Sequence, residues 1–213
     1  MPPTSTLAIF SIAALALLLV PGPAVVYIVT RSVAQGRSAG LVSVAGVHTG
    51  SAVHVLAAAL GVSAVLATSA TAFMVVKYLG AAYLVWLGLR KLFARPDGEA
   101  DAQAPSASRS RLFAEGFVVN VLNPKTAIFF LAFLPQFVDP ARGPVAPQIA
   151  LLGLIWIALG MASDGGYAFL SSALAGRLRR SRTAARRLDI AGGLVYLGLG
   201  AVAAFAGDGP RKV

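Results

Sequence analysis

Long apolar runs separated by brief polar breaks set the pattern of this chain. Six runs, residues 6–29, 41–66, 71–92, 113–137, 146–173 and 188–205, are long enough to cross a bilayer core, which takes about 20 residues of helix. In lipid each run must be helical, because every backbone group has to find its partner within its own segment. The second and fifth runs, the two longest, are candidates for tilt or interruption. Most connections are short. The exception is residues 94–111, "ARPDGEADAQAPSASRSR", polar and rich in small residues, which reads as a flexible linker. It separates a first three-helix block, residues 1–93, from a second, residues 112–213. Blocks with an odd number of spans enter the membrane in opposite senses, so a 3+3 inverted-topology repeat is expected. The predicted fold class is an all-α integral membrane protein with six transmembrane helices.

Composition supports a membrane chain. Hydrophobic residues make up 57% and charged residues only 12%, whereas soluble domains carry about 25% charged residues. Mean hydropathy is +0.78. Cysteine is absent, which excludes disulfides and thiolate metal sites. The first run lacks a basic leader and an A-x-A-like cleavage site, so it reads as a span and not a signal peptide.

A net charge of +10 would fit a nucleic-acid partner; its distribution argues against one. Thirteen basic residues fall in the connections after the first, third and fifth runs, and three (Arg142, Arg211, Lys212) on the opposite side. By the positive-inside rule the linker is cytoplasmic and both termini lie across the membrane from it. The run "RLRRSRTAARR", between the fifth and sixth spans, reads as a loop touching anionic lipid.

Against this apolar background a few groups carry chemistry. The first run contains Pro21-Gly22-Pro23 and the fourth contains Asn123-Pro124-Lys125. A proline inside a spanning helix removes a donor and frees backbone carbonyls. Such breaks persist where they face protein or a water-filled cavity, and one per block points to a central binding site. Lys125 sits midway along its run, where a charge costs at least about 2.5–3.5 kcal/mol and requires an anion. Asp164, in "GMASDGGYAF", is the acid placed deep in a span, so a pair between Lys125 and Asp164 is expected. His48 and His54 lie six apart on the second run, not at metal-ligand spacing. Either could relay protons, although a packing role fits both as well. Gly46 and Gly50 form a G-x-x-x-G packing element, frequent by chance in so glycine-rich a chain. Lys77 reads as a snorkelling lysine, and Tyr83, Trp86 and Trp156 as packing or interface aromatics. No phosphate-binding loop, H-E-x-x-H or G-x-S-x-G is present, so neither an enzyme nor a resident cofactor or metal is expected.

At these residues the chain resembles the LysE/RhtB family of small bacterial amino-acid exporters. The likeness is carried by "LLLVPGPAVVYIVTRSVAQGRSAGLVSVAGVHTGSAVH", by "FVVNVLNPKTAIFFLAFLPQF" and by "LGLRKLF", with weaker similarity through Asp164 into "IAGGLVYLGLG". The resemblance implies an inner-membrane secondary transporter exporting amino acids or similar metabolites, in exchange for protons. It implies that Pro21, Gly22, Pro23, Asn123, Pro124, Lys125 and Asp164 form the substrate site. Helix N-termini and Lys125 would hold a carboxylate, and Asp164 the amino group or the exchanged proton, with His48 as a second candidate relay. Many members place an acid or amide directly after P-G-P, where this chain has Ala24, which counts against a cationic substrate. Export of a metal ion or oxyanion, and a non-transporting helix-bundle subunit, stand as alternatives. Whether the chain forms a homo-oligomer is left open.

Overall fold

A computed structural model describes residues 1–68 and 107–175, with isolated helical positions between 71 and 93 and at 194, 197 and 201. Most of the third and sixth predicted spans, most of the linker, Lys77, Tyr83 and the "RLRRSRTAARR" stretch lie outside the described residues.

The first run is two helices, α1 (Thr4–Leu18) and α2 (Pro23–Gln35), meeting at a 56° bend. Pro21 and Pro23 have no N–H to give, so the α1 ladder stops, and Pro23 starts α2 at the first helical position, where no donor is needed. Gly36 then adopts a φ of +84°, a region that favours glycine, and turns the chain in one residue into α3 (Arg37–Thr68). After the linker, α4 (Arg109–Val121) begins earlier than the apolar pattern indicates, because the Ser108 side chain caps it by accepting from the Arg111 N–H. A 48° bend separates α4 from α5 (Pro124–Ile128), which continues as a π turn over Phe129–Phe133 and a 3-10 turn over Leu134–Phe137. The last described helix, α6, covers Val145–Ala173. The two longest runs, expected to be tilted or interrupted, are the continuous helices α3 and α6. The interruptions fall on the first and fourth runs, where the prolines are.

The segments Arg37–Gly61 and Val145–Ala173 are each long and apolar enough to cross a membrane, and each bent pair adds a further span when counted as one. No strand occurs among the described residues. The Met1 amino group donates to the Arg142 carbonyl at 2.8 Å, and the Ala107 N–H to Gln35 Oε1 at 2.9 Å. The α1–α2 pair thus runs from a terminal end to a linker end, and the α4–α5 pair runs back, the opposed sense an inverted repeat needs.

Two apolar cores stack along this axis. One, towards the terminal end, joins Phe10, Leu17, Phe129, Phe133 and Trp156; the Phe129 and Trp156 rings stack at 4.1 Å. The other, towards the linker end, joins Ala24, Ile28, Val44, Val47 and Ala168. Between α3 and α4 the backbones nearly touch. A side chain added at Gly46 would strike the Phe113 carbonyl; one at Gly50 would stand 2.8 Å from the Phe117 carbonyl, and one at Gly116 2.7 Å from that of Ser43. The G-x-x-x-G element is a true packing seam.

Gly46→Ala forces α4 away from α3 and should cost about 1–3 kcal/mol, read as a lowered thermal midpoint in detergent. Gly61→Ala, whose added Cβ meets nothing within 4 Å among the described residues, should leave the midpoint unchanged or raise it slightly.

Candidate functional site

Each proline break takes the helical donor from a backbone carbonyl, and the other part of the chain supplies a donor there. Pro23 cannot donate to the Leu19 carbonyl, and Tyr167 Oη of α6 does so instead at 2.8 Å. The Val20 carbonyl, cut off from Ala24 by the bend, accepts from Lys125 Nζ at 2.7 Å. In the fourth run Pro124 cannot donate to the Asn120 carbonyl, which accepts instead from the Asn123 N–H at 3.0 Å and from His54 Nε2 of α3 at 2.9 Å. Asn123 caps α5 by accepting from the Lys125 N–H at 3.1 Å.

Asn120 holds this second break in place. Its Nδ2 donates to the Val47 carbonyl at 2.8 Å and to Ser51 Oγ at 2.9 Å. Its Oδ1 accepts from Thr126 Oγ1 at 3.0 Å, so one buried amide joins α3, α4 and α5. Sequence reasoning passed over Asn120, Tyr167, Ser51 and Thr126. The signal available was Asn120 itself, a full amide in an apolar run, four residues before a proline.

Between the two cores lies a small polar cavity. Leu18, Ala24 and Val25 line it from the first break, and Val47, His48 and Ser51 from α3. Asn120, Asn123, Lys125 and Thr126 line it from the second break, and Trp156 and Asp164 from α6. The structure thus brings together His48, Asn123, Lys125 and Asp164. Pro21, Gly22, Pro23 and Pro124 act through the backbone: Pro23 and Pro124 are exposed on their outer faces, and none of the four lines the cavity. Gly22 caps α2 with no side chain, and the first residues of α2, Ala24 and Val25, line the cavity. With Lys125, the N-terminal end of α2 favours negative charge at the wall beside the first break.

The expected partner of Asp164 is corrected. His48 takes it, Nε2 to Oδ2 at 2.9 Å, with both side chains 4% exposed, while Lys125 turns to the Val20 carbonyl. Helix facing decides this: α3 and α6 pack side by side, and Gly160 leaves room for the His48 ring against α6. His54, six residues on, points instead to the second break. Trp156 is core packing, as expected, and also a cavity wall.

Free space in the cavity is about 20 Å³, room for about one water. A cluster of contacts lies towards each end. At the linker end Glu115 of α4 accepts from Arg31 at 2.7 Å and from Arg111 at 2.8 Å, while Tyr27 Oη donates to it at 3.1 Å. At the terminal end stands the aromatic core, with Phe10 and Phe137 edge to face at 5.3 Å.

Residues 15–207 match the family model described as LysE type translocator. The chain belongs to the LysE family. An uncharacterized membrane protein from Vibrio cholerae is 33% identical over 88% of this chain and 91% of its own length. A homoserine/homoserine lactone efflux protein from Salmonella typhimurium is 32% identical over 87% of this chain and 89% of its own. A leucine efflux protein from Klebsiella pneumoniae is 36% identical over 61% and 62%. No solved structure matches. This LysE chain is accordingly a multi-pass membrane protein of a translocator family, with the two breaks and their polar cavity at its centre.

Because the chain has no cysteine, Ser51→Cys places a single thiol in the cavity wall. It should react slowly with a water-soluble maleimide, and several-fold faster once Glu115→Gln loosens the linker-end cluster.

Proposed function

We propose that this chain exports amino acids or closely related small metabolites across the bacterial inner membrane, in exchange for protons. The linker would face the cytoplasm and both termini the periplasm, as the thirteen-to-three split of basic residues requires. The observation that carries the reading is the cavity between the two opposed helix breaks. On one side stand the N-terminal end of α2 and Lys125, matched to a carboxylate; on the other stands Asp164, matched to an ammonium group. The relatives named for homoserine and leucine efflux fit a zwitterion of this kind. A lysine in the wall disfavours a metal cation as cargo.

Since the present cavity holds about one water, cargo enters only when one end opens. The two three-helix blocks would rock about the cavity, opening the Glu115 cluster to load and the aromatic core to release. The site residues put forward are Pro21, Gly22 and Pro23 as the shapers of the first break, Asn123 and Pro124 of the second, and Lys125 and Asp164 as the charged contacts.

Cells expressing the chain and loaded with labelled homoserine or leucine should release label faster than empty-vector cells. Lys125→Met should cut that release at least tenfold at equal expression. Release equal to the vector control for every amino acid screened would refute the reading.

A further inference from the structure

We propose that His48 stands where the substrate's ammonium group will bind, and that competition between the two for Asp164 couples export to protons. The inference rests on the exporter reading above and adds to it a coupling residue and a requirement on cargo: a free amine.

Asp164 and His48 are 3% and 4% exposed, so their pair is among the most deeply placed polar contacts in the described structure. Each is only half satisfied. His48 Nδ1 and Asp164 Oδ1 are buried with no hydrogen-bond partner among the described residues, and an orphaned polar atom at such depth is costly. Both residues line the cavity, so the missing partner has somewhere to come from. A buried carboxylate needs one cation, since an unpaired charge there is strongly destabilising. Lys125 is not that cation in this conformation, because its ammonium is directed to the Val20 carbonyl. The group in contact with Asp164 is the His48 imidazole, which supplies that cation when it carries a second proton.

The seat of the ring is specific. Any side chain at Gly160 would collide with His48 Cε1, so glycine lets the ring lie flat on α6 next to Asp164. His48 is on α3 and Asp164 on α6, one before the linker and one after it, so their bond crosses the two moving parts. Other titratable groups near the pair, among the described residues, are Lys125 of α5, Tyr167 three residues along α6, and His54, which points to Asn120. The residues lining the cavity from the first break, Leu18, Ala24 and Val25, do not titrate.

The exchange balances as follows. A zwitterion entering from the cytoplasm sets its ammonium N–H groups on Asp164, and the His48 Nε2–H bond to Oδ2 breaks. Having lost its counter-ion, the imidazolium gives one proton to cytoplasmic water and stays neutral while cargo is bound. On the far side the ammonium leaves, periplasmic water returns a proton to His48, and the pair re-forms. One proton enters per zwitterion released. The empty carrier returns with one more positive charge than the loaded one, so membrane potential, negative inside, assists export.

The test is calorimetric binding of L-leucine and L-homoserine to the purified full chain at pH 5.5 and 7.5, in buffers of differing ionisation heat. Wild type should release close to one proton on binding, bind up to about a hundredfold more weakly at pH 5.5 than at pH 7.5, and ignore 4-methylpentanoate, which is leucine without its amine. His48→Gln should bind more tightly than wild type at pH 5.5, with no pH dependence and no proton release. Gly160→Ala, which keeps the imidazole but crowds it off its seat, should show the same trend in part. Retention of the wild-type pH dependence and proton release in His48→Gln overturns the role of His48 while leaving the exporter reading intact. Binding of neither amino acid by wild type overturns both.

Discussion

A carbonyl that loses its helical donor inside a bilayer has no water to turn to, and this constraint organises the molecule. Pro23 strands the carbonyl of Leu19, the bend after Val20 strands a second, and Pro124 takes the usual helical donor from that of Asn120. Leaving them bare would cost several kcal/mol each. Tyr167 and Lys125 satisfy the first break from beyond the linker, and His54 adds a second donor to the Asn120 carbonyl, which the Asn123 N–H already meets. The first broken span is not complete without donors from the other part of the chain. A LysE chain built this way holds its two parts together at the level of the cavity, and the donors that stabilise the fold include the lysine best placed to meet cargo.

The same arrangement keeps the polar centre small. Apolar cores stand on either side of it, the α3–α4 glycine seam brings backbone against backbone, and Glu115 and the aromatic cluster tie the helices together towards the two ends. Charges in so buried a place act at low dielectric, where a buried carboxylate accepts one cation and tolerates the lack of one poorly. A site of this kind can discriminate by charge pairing with few contacts. It also ties any change of occupant at Asp164 to a change of contact between α3 and α6.

Much of this architecture was legible in the residues. Prolines inside apolar runs mark the interruptions, and the i−4 rule names Leu19 and Asn120 as the carbonyls that lose their helical donors. Of the two readings that length allowed at α3 and α6, tilt or interruption, continuity removes interruption, because a long run is as readily an unbroken helix as a broken one. The partner of Asp164 was not legible. His48 is 116 positions away, and which face of α3 meets α6 depends on Gly160 and on the packing of two helices against each other. Asn120 was readable as an amide in lipid; that it bridges three helices follows only from their assembly. Tyr167 looks like any aromatic near a helix end until the Leu19 carbonyl is seen beside it.

The central claim, one cation at a time on Asp164, is tested most directly by counting charge in proteoliposomes loaded with a zwitterionic amino acid. Under an imposed inside-negative potential, with an internal pH dye, efflux should quicken, and one proton should enter per amino acid that leaves. Efflux that proceeds at the same rate without potential and with no internal acidification would contradict it.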